Sequence, residues 1–146
     1  MEFKRTTAGK IVGAIVGFAV GYVLVYLIFN GSFAGGKGDD KVLRNLRAVS
    51  EEVNKSCPMQ VDAYTVLKAT VALPPRTLRY MYTLTLPEGF DLEAAKTDFI
   101  PVVKQQVKTQ PDMQELRDLE PVFSYSYDAP DGTHLFDFEV VPEDYK

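Results

Sequence analysis

Thr77-Leu78-Arg79-Tyr80-Met81-Tyr82-Thr83-Leu84-Thr85-Leu86 alternates apolar with mostly polar side chains without a break. A period of two puts Leu78, Tyr80, Tyr82, Leu84 and Leu86 on one face of a β-strand. Such a strand needs a cover on its apolar side and can leave the other side to water. Upstream, Gln60 to Leu73 is a β-branched, alternating run, and Pro74-Pro75-Arg76 turns it into the strand that follows. Downstream, Pro87-Glu88-Gly89 ends the strand, and Asp91 is placed to cap a helix whose face is Leu92, Ala95, Phe99, Val103 and Val107. Pro101 lies inside that helix. It removes a hydrogen bond and crowds the preceding turn, which predicts a kink near Asp98 or two short helices. Gln110-Pro111-Asp112 starts a further short turn through Leu116 and Leu119.

Farther out, the pattern repeats in kind. Phe123, Tyr125 and Tyr127 alternate along one strand, Pro130-Asp131-Gly132 makes a turn, and Phe136, Phe138 and Val140 alternate along the next. Before the first hairpin, Val42, Leu43, Leu46, Val49 and Val53 recur at helical intervals up to about Lys55, with Asp39 or Asp40 as the expected cap. The order helix, strand, strand, helix, strand, strand predicts an α+β domain built on an antiparallel sheet. At 146 residues, 46% of them hydrophobic, the chain supports one such core and not two.

The first 38 residues differ in character. Ile11 to Phe29 runs without a charge, and as a helix it spans about 28 Å, close to the thickness of a bilayer's hydrocarbon. It is read as a transmembrane helix, preceded by a basic tail over 1–10 and followed by a glycine-rich linker over 30–38 that leads into the soluble α+β domain of 39–146. A cleaved signal ending at Ser32-Phe33-Ala34 competes with this reading, but its apolar core would be longer than the roughly 7 to 15 residues that such signals use. Lys37, Lys41, Arg44 and Arg47 follow the span and offset Lys4, Arg5 and Lys10 before it. The later charges belong to the start of a folded domain, which favours a cytoplasmic N-terminus and a domain outside the inner (plasma) membrane. Gly9, Gly13, Gly17 and Gly21 recur every fourth residue, laying a nearly smooth stripe of backbone along the helix. Small residues in that spacing let two helices approach closely within a bilayer, so the stripe is a candidate helix–helix contact.

Charge and residue counts exclude several classes. Of 16 Lys/Arg and 20 Asp/Glu, three bases and one acid fall in residues 1–36, leaving 13 against 19 for the rest. An acidic domain repels a phosphate backbone, which disfavours nucleic acid. One cysteine, Cys57, forms no internal disulfide, and one histidine, His134, supplies no zinc ligand set. Asp128, Asp131, His134 and Asp137 surround the last turn and are the one acid–base group, most simply a solvated hairpin tip. No serine sits in a Gly-x-Ser-x-Gly elbow and no phosphate-cradling loop opens a helix. No cofactor and no catalytic residue are therefore expected. Arg76, Arg79, Tyr80, Tyr82, Tyr125 and Tyr127 are residue types enriched at binding surfaces and form a candidate partner face, although tyrosines at alternate strand positions also serve as core.

Val53-Asn54-Lys55-Ser56-Cys57-Pro58-Met59-Gln60-Val61-Asp62 with Thr65, then Tyr80-x-Tyr82, Tyr125-x-Tyr127-Asp128 and Asp131-Gly132, resemble a family of small bacterial exported or membrane-anchored α+β domains of uncharacterised function. The resemblance covers about residues 40 to 141 and implies the fold. It brings no catalytic residues, and the paired cysteines pictured for that family are missing here. The expectation is a single-pass, non-enzymatic protein-binding domain of the bacterial envelope, whose partners are the bilayer and another envelope protein or itself. The alternative is a glycine-zipper homo-oligomer acting as a membrane scaffold or small channel.

Overall fold

The computed structural model describes residues 38–60 and 63–146. The basic tail, the expected span with its four glycines and all of the linker except Gly38 lie outside the described residues. Among the described residues no helix is long and apolar enough to cross a membrane. The elements are α1 (Asp39–Lys55), β1 (Met59–Gln60), β2 (Thr65–Leu73), β3 (Thr77–Leu84), α2 (Leu92–Thr109), a 3-10 turn (Pro111–Met113), α3 (Gln114–Asp118), β4 (Val122–Asp128), β5 (His134–Val140) and α4 (Pro142–Tyr145).

The α+β class holds, but the sheet is mixed. Its order is β1-β2-β3-β4-β5, and β3 pairs with β4 in parallel while the other neighbours are antiparallel. This corrects the expected all-antiparallel sheet of four strands. The reason is one of length: α2 has 18 residues and carries the chain back about 27 Å, roughly the length of the 8-residue β3. The next strand must then start where β3 started, and a crossover of that size gives a parallel pair. The expected run from Gln60 to Leu73 also divides, because Met59–Gln60 folds back to pair with Val66 and Leu67.

Both main helices lie on one face of the sheet. Alternation buries Leu78, Tyr80, Tyr82 and Leu84 of β3 and Phe123, Tyr125 and Tyr127 of β4 beneath them. α1 contributes Val42, Leu46, Val49 and Val53, and α2 contributes Ala95, Phe99, Val103 and Val107 to the same continuous core. Each fully buried aliphatic side chain of this set adds about 1.5–3 kcal/mol through burial. The aromatic rings form two rows across the sheet. Tyr80, Tyr125 and Phe138 stack at 5.2 and 5.0 Å between centroids, and Tyr82, Tyr127 and Phe136 at 4.9 and 4.6 Å.

Local expectations fare unevenly. Asp91 caps α2, its carboxylate accepting from the Ala94 amide at 3.1 Å. The cap of α1 is Gly38 instead of Asp39 or Asp40, which occupy the first turn where their charge meets the helix dipole. Asp39 is also held by Arg76, whose Nε donates to it at 3.0 Å. α2 continues through Pro101 as one helix. Pro101 lies on its exposed side, where the crowded turn can relax outward and the freed carbonyl meets water.

Candidate interaction face

The second face of the sheet carries no helix among the described residues. Its rows follow from the register: Val71, Arg79, Ser124 and Glu139 lie side by side, next to Ala69, Met81, Ser126 and Asp137. The face is divided by charge. Val66, Val71, Leu73 and Met81 on β2 and β3, with Val122 at the start of β4, are half-buried aliphatics outside the core cluster. Asp128, Asp137 and Glu139 lie on the β4–β5 side. Arg79 marks the boundary, its Nε donating to Ser124 Oγ at 3.2 Å.

A hydrogen-bonded group of side chains sits at the end of this face. His134 Nδ1 lies 2.9 Å from Asp128 Oδ1 and its Nε2 lies 3.0 Å from Asp137 Oδ2. Lys68 Nζ donates to the other oxygen of Asp128 at 3.2 Å. Lys68 is the extra residue of a β2 bulge between Leu67 and Ala69, and its side chain follows the open face to Asp128. The hydrogen bond from His134, and then that from Lys68, holds the Asp128 carboxyl below the usual carboxylate range. The same bond to Asp128, followed by that to Asp137, pushes the imidazole above its ordinary value. Asp131 stands apart: its carboxylate accepts from the Thr133 amide at 2.9 Å and closes the turn, and that bond lowers its pKa. Of the four residues expected around the tip, three come together as an ion pair network and the fourth shapes the backbone. Both ring nitrogens of His134 face carboxylates, which suits an imidazolium, not a metal ligand. Among the described residues no His/Cys/Asp/Glu group is arranged to hold a metal ion.

The expected partner face does not form as one surface. Tyr80, Tyr82, Tyr125 and Tyr127 are core residues, none more than 2% exposed, and burial pushes the pKa of Tyr80, Tyr82 and Tyr125 up. The four rings alternate inward from the central strands β3 and β4, where the helices cover them. Arg79 alone of that set lies on the open face. Arg76 sits at the β2–β3 turn, bound to Asp39 and donating to the Leu119 carbonyl at 3.3 Å, so it fastens elements together. Cys57 is half-buried, its Sγ 3.4 Å from the Val53 carbonyl, and burial pushes the thiol up and away from a reactive thiolate.

The two edges of the sheet differ. At β2, the outward amide of Thr70 donates to Asn54 Oδ1 at 2.7 Å, and its carbonyl accepts from Asn54 Nδ2 and Ser50 Oγ at 2.9 Å each. The Asn54 carboxamide thus stands in for a neighbouring strand, while β1 occupies the edge at Val66 and Leu67. At the other side β5 is the last strand, with no neighbour beyond it among the described residues. Sequence reading missed Lys68, Ser50, Asn54 and Glu139. No local signal marked Lys68, because Leu67-Lys68-Ala69 alternates regularly in the sequence and the bulge shows only in the pairing of β2 with β3.

Three solved structures share this fold. A protein described as secreted, from Pseudomonas aeruginosa, matches with a TM-score of 0.64 and 10% identity over 77% of this chain and 100% of its own. EpsS, the pilotin of the Vibrio vulnificus type 2 secretion system, matches at 0.62 with 6% identity over 77% and 98%. The type II secretion system pilotin AspS from Vibrio cholerae matches at 0.53 with 13% identity over 72% and 96%. At these identities the likeness is one of fold. No curated protein matches the sequence. One family does, over residues 42–136, from the first buried valine of α1 to Phe136 in β5. By that match, which takes in both main helices and nearly the whole sheet, the chain belongs to the family described as Domain of unknown function (DUF8479).

Proposed function

We propose that this protein is a non-enzymatic binding module of the bacterial envelope, held at the inner membrane by residues 11–29, with its N-terminus cytoplasmic and its folded domain outside. The observation that carries the reading is the divided sheet face, aliphatic on one side and acidic on the other, left without a covering element among the described residues. An apolar face flanked by charge is the ordinary anatomy of a protein contact. The likeness of fold to two pilotins of type II secretion systems, proteins of an envelope assembly by their names, supports the same class of role. So does the chemistry of the surface, whose acid–base residues neutralise one another at the hairpin tip.

The sequence favours a second reading at one point, the glycine stripe of Gly9, Gly13, Gly17 and Gly21, which would make the helix itself a self-association surface. Crosslinking in native membranes separates the two. Wild type and Gly17→Leu capturing the same foreign envelope protein supports the binding module, with the helix as anchor. A homo-oligomer in wild type that Gly17→Leu loses supports the scaffold. Full release of the chain by alkaline carbonate would overturn membrane anchoring itself.

A further inference from the structure

From the asymmetry of the two sheet edges, we infer that β5 is a strand-addition site, which takes an extended segment of a partner protein in which basic and apolar residues alternate. This rests on the reading of the domain as a protein-binding module and names the chemistry of its partner. An edge strand presents a row of unpaired amides and carbonyls that templates another strand, and proteins usually block it. Here one edge is blocked twice, by β1 and by the Asn54 carboxamide on Thr70. The other, β5, runs 7 residues with no neighbour among the described residues.

The side chains of β5 select the occupant. Phe136 and Phe138 end the two aromatic rows on the covered face, and Phe138 is only half-buried, so an added strand with apolar residues opposite them continues those rows. On the open face Asp137 and Glu139 alternate with them, and Asp137 is 67% exposed. Opposite charges directly across a strand pair stabilise it and like charges oppose it. Lysine or arginine at the alternate positions of the incoming segment meets these carboxylates. Asp137 also disfavours a second copy as occupant, because full-length antiparallel pairing of β5 with itself sets Asp137 against Asp137. Recognition then divides in the manner of strand addition generally: main-chain hydrogen bonds supply affinity, and alternate side chains supply specificity.

The test uses the full chain in phosphatidylcholine nanodiscs, with empty nanodiscs as the control, and a fluorescent peptide of alternating valine and lysine as long as β5. Expected are saturable binding and slowed hydrogen exchange confined to residues 134–140. Replacing Asp137→Lys and Glu139→Lys together, in a variant that thermal unfolding shows to be folded at the assay temperature despite the lost His134 contact, weakens binding at least tenfold and transfers it to the valine–glutamate peptide. N-methylation of alternate peptide amides abolishes binding for the set that faces the edge and spares the other set. Equal binding by a peptide with its lysines in one block, or protection anywhere but β5, overturns the inference in favour of bare charge attraction. If native membranes yield the same crosslinked envelope protein to wild type and to the lysine variant, the edge is wrong and the binding module stands. If neither captures one, the module reading falls and takes the edge with it.

Discussion

His134 carries the clearest single-residue consequence. Its folded pKa is raised, first by Asp128 and then by Asp137, so its pairing stabilises the fold fully below the unfolded value of about 6.5 and is lost as pH rises through the folded value. Asp128 has the opposite sign: its lowered pKa gives stability above about 3.9 that disappears as pH falls through the folded value. The network is therefore complete between about pH 4 and 6.5, and melting temperature should decline from there toward alkaline pH. His134→Gln should flatten that decline, and an unchanged slope in differential scanning calorimetry would remove His134 as its cause. Asn54 acts through the backbone instead. Asn54→Ala leaves the Thr70 amide without its partner, while the carbonyl keeps Ser50 Oγ, and should lower stability by about 1–3 kcal/mol in urea unfolding. The grouping of Asp128, His134 and Asp137 was legible from the turn they flank; the contact of Asn54 was not, because an asparagine on the surface side of a helix looks like any solvated polar residue until β2 is laid beside it.

Among the elements, α2 combines a sound cap with a poor interior. Pro101 sits ten residues into a helix of 18 and costs up to about 3 kcal/mol relative to alanine. Because its side chain is exposed, Pro101→Ala should restore a donor without touching the core, raising stability by about 1–3 kcal/mol in chemical denaturation. A loss would mean that the proline sets a curvature the core requires. The helices were legible in outline: the spacing of Val42, Leu46, Val49 and Val53 fixes the buried stripe of α1, and Asp91 announces the start of α2. The short α4 was not read, although Pro142 at its first position and acids in its first turn are ordinary signs of a start. It is held from outside its own residues, by Phe123 against Tyr145, by the Tyr145 hydroxyl on the Pro121 carbonyl and by Lys104 on Asp144 at 3.6 Å.

For the whole molecule, the core runs from Val42 to Tyr145 and draws on nothing earlier in the chain among the described residues. A fragment of residues 39–146, which holds that whole cluster, should unfold cooperatively in urea, with an unfolding free energy within about 0.5 kcal/mol of the full chain's. A lower midpoint would place part of the fold's support in the first 38 residues. The candidate face belongs to this scale also. Met81 joins the row of Ser126 and Asp137 only because β3, far off in the chain, pairs in parallel with the first strand of their hairpin, and the charge division of the face exists nowhere in the sequence order.

What depends on neighbours along the chain was readable in the residues: the alternation of β3, β4 and β5, the helical stripes, the turns at Pro74-Pro75 and Asp131-Gly132, and the α+β class. Each of these is a period or a local backbone preference, carried whole by a few consecutive residues. Folding alone settled which strands pair and in which direction, that four tyrosines go to the core while Arg79 stays outside, and that among the described residues one edge is closed and the other open. Those outcomes depend on contacts between residues far apart in the chain, such as Asn54 with Thr70 and Lys68 with Asp128. Their energy is gained only after the chain has folded, so no local pattern records it.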